Sequence, residues 1–222
     1  MKFELIEDIE RDIRNWQKSI VAKSYGVNWK KFLPPDISAK RVRDKEYLRN
    51  YLEKKFYRSG KVSEFKHWMK DNLNASQIKE DLEQLMGKKF PFRTVKIFIT
   101  TFHRAPYNVE QSFFYLIWRD SNRKKAITNI YHELMHFLFH LYYWNKCKKA
   151  GLSDVKIHIL KESLTVLLNP ILEKRKLLLD AGYASHQEIR TRLKKLWRKE
   201  KNFDLFLDKA VKLEFAKDEI HR

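Results

Sequence analysis

Two histidines and a glutamate stand at a spacing that suits metal chemistry. His132, Glu133 and His136 form the pattern H-E-x-x-H within a long apolar run. Residues four apart on an α-helix lie on the same face, about 6 Å apart along the axis. The two imidazoles can therefore bind one ion, and the carboxylate of Glu133 can reach a water that the ion activates. The pattern predicts the local geometry of a zinc hydrolase, with two nitrogen ligands and a general base.

The alternative is that His132 and His136 are satisfied core histidines beside a surface glutamate. So short a pattern arises by chance in unrelated helices. Here it lies in the most apolar helical stretch of the chain, where two histidines and a glutamate without partners would be costly. We therefore favour a metal site over the alternative.

Glu162 is the expected third ligand. It lies in an apolar helical segment, and 25 residues separate it from His136. That length lets the motif helix end before Gly151 and lets a second helix return antiparallel, which can bring Glu162 beside the two histidines. The alternative is that Glu162 is a solvent-facing neighbour of Lys161.

His140 is the competing third ligand, because it continues the histidine stripe by one more turn. Eight helical residues rise about 12 Å, so an unbroken helix cannot place His132 and His140 on one tetrahedral ion. No glycine interrupts the helix between residues 136 and 140. We expect His140 to be a packing residue or an outer neighbour of the site.

The rest of the chain must position these residues, and its pattern predicts a mostly helical protein. Only five glycines and five prolines occur in 222 residues, which favours long helices. Alternation over 95–99 predicts a strand, and the aromatic run 113–118 predicts a second one. Helices are predicted at 3–24, 44–57, 63–71, 74–86, 122–148, 153–172 with a restart at Pro170, 185–199 and 203–215. We expect an α+β fold in which a small antiparallel β segment packs on the motif helix and on the glutamate helix, with N- and C-terminal helical extensions.

Three parts are expected along the chain. Residues 1–90 form a helical N-terminal region that serves as a lid, a pro-segment or a scaffold. Residues 91–181 form the metallopeptidase-like core, and residues 182–222 form basic helices packed on that core.

The cysteine count and the absence of targeting segments favour an intracellular compartment. The single cysteine, Cys147, cannot form an intramolecular disulfide, and the N-terminus lacks the apolar core of a signal peptide. No window reaches about 18 uninterrupted apolar residues, so no transmembrane segment is predicted. We expect a cytoplasmic protein, and the sequence leaves its oligomeric state open.

The charge balance opens a second class of function. The chain has 47 basic and 28 acidic residues, a net charge of +19. Such an excess favours anionic partners, although lysine also serves simply to solvate a surface. In the helix predicted over residues 188–202, seven cations surround an apolar stripe. These cations form either a solvated face or a phosphate-binding surface. The alternative function is a non-proteolytic, zinc-stabilised binding or regulatory module, associated with nucleic acid through this surface.

The motif with its downstream glutamate resembles the gluzincin branch of zinc metallopeptidases over about residues 93–172. The stretches ITNIYHELMHFLFH and ESLTVLLNP are also similar to the ImmA/IrrE-type proteases, and minigluzincins are similar in scale. The resemblance implies a zinc ion held by His132, His136 and Glu162, with Glu133 as general base. It further implies an antiparallel rim strand, for which we favour 113–118, along which a peptide or protein substrate lies. We expect a metalloendopeptidase rather than an exopeptidase.

The sequence does not assign two residues of the gluzincin pattern, the acidic residue that orients a histidine and the group that stabilises an oxyanion. Many gluzincins place an acidic residue a few positions after the glutamate ligand, where it orients a histidine. Here Thr165 and Val166 occupy those positions, and Asn169 is the next polar group on that face. The group that stabilises an oxyanion is open among three residues, His158, Tyr183 and His186. We favour His158 as the catalytic residue, since it lies one helical turn before Glu162.

Overall fold

The computed structural model of the chain describes residues 1–22 and 27–215. Its contacts divide the chain into two compact units. The first comprises Met1–Asn74 and Phe92–Ala126, and the second comprises Ala75–Pro91 and Ile127–Arg222. The functional division expected at residues 90 and 181 stays a prediction.

The first unit is built, within the described residues, on a mixed four-stranded sheet with strand order β1-β2-β4-β3. The strands are β1 Lys2–Ile6, β2 Thr94–Thr100, β3 Tyr107–Asn108 and β4 Phe113–Ile117. Strands β1 and β4 each pair with β2 in parallel, and β3 pairs with β4 antiparallel. Both strands expected from the sequence are confirmed, and the protein is α+β and mostly helical as predicted.

The expected antiparallel arrangement of the two long strands is wrong, because β4 runs parallel to β2. Parallel neighbours need a crossover connection, and residues 101–112 supply it. The chain leaves β2, forms the short strand β3 and reverses into β4 through a turn in which Ser112 has a φ of 52°. The rim strand proposed at 113–118 is therefore not antiparallel to its long neighbour.

The helix predicted over residues 3–24 is wrong at its start. Residues 2–6 form β1, in which the side chain of Leu5 is buried. Helix α1 spans Ile9–Ser19 and begins at the N-cap Asp8, whose side chain accepts from the backbone N–H of Arg11. Residues 1–90 are thus not purely helical, and the predicted helix end at residue 24 lies outside the described residues.

A buried polar network fixes α1 to the end of β2. The carboxylate of Asp12 is fully buried and accepts hydrogen bonds from the hydroxyls of Thr100 and Thr101, each at 2.6 Å. It also accepts from the backbone N–H of Thr101 and from the Tyr57 hydroxyl. Trp16 donates to the Thr101 hydroxyl, so this hydroxyl must point its own proton at Asp12.

The other predicted helices occur in the predicted order with shifted ends, and one short helix, Ala39–Arg43, was not predicted. In the first unit they are α2 Ala39–Arg43, α3 Lys45–Leu52, which continues as a π-helical turn over Glu53–Tyr57, and α4 Lys61–Asn72. Helix α6 leads from the first unit into the second, which also contains α5. The remaining helices are α5 Ala75–Met86, α6 Lys124–Tyr142, α7 Trp144–Lys149, α8 Asp154–Leu164, α9 Asn169–Lys174, α10 Gln187–Lys199 and α11 Phe203–Phe215. The single helix predicted over 122–148 is split at Tyr143, and the restart predicted at Pro170 is confirmed by the start of α9.

In the second unit, two tyrosines fix α5 to the motif region. The hydroxyl of Tyr131, on α6, donates to Asp81 at 2.7 Å, and that of Tyr143 donates to the carbonyl of Met86 at 2.7 Å. Helix α10 packs against α8 and against the 3₁₀ turn Thr165–Leu168 that follows α8. Among the helices in the described ranges, none combines the length and the apolar character needed to cross a membrane.

Candidate metal centre

The structure brings His132, His136 and Glu162 together in the second unit. The two histidines lie one turn apart on α6, with ring centroids 4.3 Å apart. Glu162 lies in the last turn of α8. One ligand atom from each of the three residues can be chosen so that all lie within 4.8 Å of one another.

The spacing of these atoms fits a metal ion. Glu162 Oε2 lies 3.4 Å from His132 Nε2, and Glu162 Oε1 lies 3.2 Å from His136 Nε2. Ligands of a tetrahedral zinc ion lie about 3.3–3.6 Å from one another, and each carboxylate oxygen stands near that distance from one imidazole nitrogen. The three residues can therefore hold a metal ion.

Burial argues against a merely solvent-facing glutamate. The side chain of Glu162 is only 19% exposed, and that of His136 is 2% exposed. The neighbouring Lys161 is also buried. Charged and polar groups in such surroundings need partners.

Asp180 is the acidic residue that orients His132. Its Oδ2 lies 2.8 Å from Nδ1 of His132. With its Nδ1–H donated to a carboxylate, the imidazole leaves Nε2, which faces Glu162, as the nitrogen that can coordinate a cation. A carboxylate on the far nitrogen of a ligating histidine fixes its tautomer and ring orientation. The acidic residue that the sequence lacks directly after Glu162 is thus supplied by Asp180, 18 positions further along the chain.

Asp180 is itself held by residues from three elements. Its Oδ1 accepts from the Thr165 hydroxyl at 2.8 Å and faces the Arg190 guanidinium at 3.1 Å. Asn169 bonds the backbone of Asp180 through both ends of its amide. A Cβ at Gly182 would lie 2.5 Å from Nη1 of Arg190, so the guanidinium occupies space that only glycine leaves. The orientation of His132 therefore depends on packing around Asp180.

The protonation preferences of the cluster favour a bound cation. Burial lowers the pKa of His132, but Asp180 and Glu162 outweigh burial and raise it to about 10. Burial lowers the pKa of His136 to about 3, which keeps this imidazole neutral and able to coordinate. Burial raises the pKa of Glu162, but its histidine neighbours and Lys161 outweigh burial and hold it well below the usual value. Two of the three residues, His136 and Glu162, are thus in the protonation state that a metal ligand needs.

The carboxyl group of Glu133 is buried beside the two histidines in the sequence of α6. Its Oε2 is buried and has no hydrogen-bond partner among the described residues. Burial raises the pKa of this carboxyl to about 7, against the lowering effect of His132 and Lys161. A carboxylate with a pKa near the working pH can both take up and release a proton.

The other predicted residues have different surroundings. His158 lies on α8, where its ring packs edge-on against Trp144 at 4.8 Å, and its catalytic role stays a prediction. His140 is not one of the three clustered ligands, and its ring stacks on Trp144 at 4.4 Å. Tyr183 packs edge-on against His186, and burial together with the charge of Glu162 raises the pKa of its phenol to about 12.

Two residues of this site were missed from the sequence. Asp180 is a single acid in an otherwise apolar loop, immediately before Ala181-Gly182, and that isolation was its one signal. Arg190 was counted with the solvated basic face of its helix, which is wrong. Its side chain is 3% exposed because it points inward to Asp180.

Comparison of the chain with protein-family models, with curated proteins and with solved structures gives no match in any of the three. The case for a function therefore rests on the geometry of the metal centre.

Proposed function

We propose that the protein is a zinc-dependent metallopeptidase of the gluzincin type. The supporting observation is the cluster of His132, His136 and Glu162, in which two imidazole nitrogens and one carboxylate oxygen lie within 4.8 Å of one another. Two histidines and a glutamate are the protein ligands of catalytic zinc in metallopeptidases, where the fourth position serves water or substrate. Calcium and magnesium prefer oxygen ligands, so the histidines favour zinc over both.

Each residue then has a defined part. Zinc bound at the cluster supplies a Lewis acid that activates water and polarises the peptide carbonyl. Glu133 takes the proton of the attacking water on its buried carboxylate and passes it to the leaving amine. Asp180 holds the proton of His132 on Nδ1, so that Nε2 stays available as a ligand.

The test is a Glu133→Gln variant assayed on a denatured protein and on a peptide library. We expect chelator-sensitive cleavage by the wild type, retention of zinc by the variant, and a rate about 10²–10⁴-fold lower, because the variant lacks the base. Glu173→Gln, an exposed position on α9, is the matched control and should cleave at the wild-type rate. Full activity in Glu133→Gln contradicts the mechanism, and lack of chelator-sensitive cleavage by the wild type contradicts the peptidase.

A second candidate function, binding of nucleic acid, is favoured by the outer face of α10. Four cations on this face are exposed and form no ion pair within the described part of the chain. They are Lys194, Lys195, Arg198 and Lys199. Unpaired cations along one helix face can follow a phosphate backbone.

This candidate is tested by fluorescence anisotropy with a DNA duplex and with single-stranded RNA. If the outer face binds phosphates, changing Lys194 and Lys195 to Glu should weaken binding and flatten its salt dependence by about two units of the logarithmic slope. The same double change at Lys30 and Lys31, also adjacent and exposed, is the control. An equal effect of the two double variants means that general charge, and not this face, drives binding.

A further inference from the structure

A buried lysine stands directly beside the metal centre. The side chain of Lys161, on α8, is 2% exposed, and its ammonium lies 2.7 Å from Oε1 of Glu162. Lysine is almost never fully buried unless it is paired. The two histidine ligands and Glu133 account for the function proposed above without it, so this cation needs a separate explanation.

The carboxylate that Lys161 contacts is the one that a metal ion would use. Glu162 Oε1 faces His136 and Glu162 Oε2 faces His132, so both oxygens border the position where the ligand atoms meet. Lys161 donates to Oε1. A metal ion bound here and the ammonium of Lys161 would therefore contact the same carboxylate group, that of Glu162.

We propose that Lys161 weakens metal binding at this centre, so that the occupancy of the centre follows the supply of free metal. This inference rests on the proposed metal centre and is independent of peptidase activity. Two effects of the lysine oppose each other. Its hydrogen bond steadies Glu162, which favours binding, and its charge repels a divalent cation, which disfavours binding.

The repulsion is the larger effect. Coulomb energy scales with the product of the charges, so a divalent ion and an ammonium repel twice as strongly as two unit charges at the same distance. The surroundings are largely buried and screen this repulsion less than water would. A single hydrogen bond to a charged group contributes less than such a close charge pair.

The experiment measures the zinc dissociation constant of Lys161→Met by competition with a chromophoric chelator. Methionine keeps an unbranched side chain, one atom shorter than that of lysine, and removes the charge. We expect the variant to bind zinc about tenfold more tightly or better, in the range by which neighbours of metal ligands change affinity. Lys156→Met removes the same charge from the same helix, nearer its start, and should leave the constant within about twofold of the wild-type value.

The possible outcomes separate this inference from the proposed function. Unchanged or weaker zinc binding in Lys161→Met, with a wild-type circular dichroism spectrum, overturns the role of Lys161 and leaves the metal centre standing. Absence of zinc binding in the wild type overturns both. If Lys161→Met fails to fold, Lys161→Gln removes the charge while keeping a polar group. Tighter zinc binding in this variant supports the role of Lys161, and unchanged or weaker binding overturns it.

Discussion

The contact between Asp180 and His132 allows a sharp test of how the metal centre is built, through the substitution Asp180→Asn. Asp180 uses both oxygens as acceptors, Oδ2 for His132 and Oδ1 for Thr165 and Arg190. An asparagine of the same shape has only one acceptor oxygen. Its NH₂ must face either the Arg190 guanidinium, donor to donor, or Nδ1 of His132.

Both orientations weaken metal binding. If the amide faces Arg190 with its NH₂, the guanidinium keeps its bonds to the Asp180 carbonyl and the Thr165 hydroxyl, but the donor-to-donor contact strains the side chain that must accept from His132. If it faces His132, Nδ1 becomes the acceptor and the ring proton moves to Nε2, the atom that should coordinate. Loss of such an orienting partner typically reduces metal affinity about 10–100-fold, which is about 1.4–2.7 kcal/mol.

The assay is the zinc dissociation constant, measured by chelator competition on samples whose folded fraction is known from circular dichroism. Asp81→Asn is the matched control, since Asp81 is a part-buried carboxylate that bonds Arg175 and Tyr131, the residue next to His132. We expect Asp81→Asn to lower the free energy of unfolding and to leave the zinc constant within about twofold. Equal zinc affinity in Asp180→Asn and the wild type would refute the orienting role of Asp180.

Two further predictions concern the support of the site and the first unit. Gly87→Ala and Gly182→Ala both place alanine at positive φ, which costs about 1 kcal/mol of stability. Only at Gly182 would the new Cβ collide with Arg190, so only Gly182→Ala should also weaken zinc binding in the chelator assay. Equal zinc binding in the two variants would contradict the packing argument. Burial raises the pKa of Asp12 from 3.8 to about 6, so the folded protein binds the proton of this carboxyl more tightly than the unfolded chain does. Protonation of Asp12 therefore stabilises the fold fully below about pH 4, and this stabilisation is lost as the pH rises through 6. Relative to Asp12→Asn, the free energy of unfolding of the wild type in urea should fall by about 3 kcal/mol over that window, and a flat difference would contradict the assignment.

The cluster of His132, His136 and Glu162 could be predicted from the spacing of the histidines and the length of chain before the glutamate. His132 and His136 lie on one helix face whatever surrounds the helix. Glu162 could be placed because the length of the intervening chain and Gly151 allow one helix to return along another. The strand 94–100 was also visible, since alternation of apolar and polar side chains is a local property.

The orienting residues could not be predicted, because they depend on contacts between distant segments. Asp180 lies in a loop without periodicity, and only the tertiary fold shows that it meets His132. Arg190 follows the pattern of a solvated cation, yet Gly182 leaves space that lets it turn inward. The strand β1 was read as helix because its apolar spacing also fits a helical period, and its pairing with β2 connects residues about 90 positions apart.

The central claim, that His132, His136 and Glu162 form a zinc centre, is tested most directly by the metal content of the purified protein. Wild type and Glu162→Ala are prepared in parallel, equilibrated with zinc, desalted and analysed by elemental mass spectrometry, with circular dichroism to establish that both are folded. The account predicts stoichiometric zinc in the wild type and its loss in Glu162→Ala. A wild type without zinc, or a folded Glu162→Ala that retains as much zinc as the wild type, would contradict it.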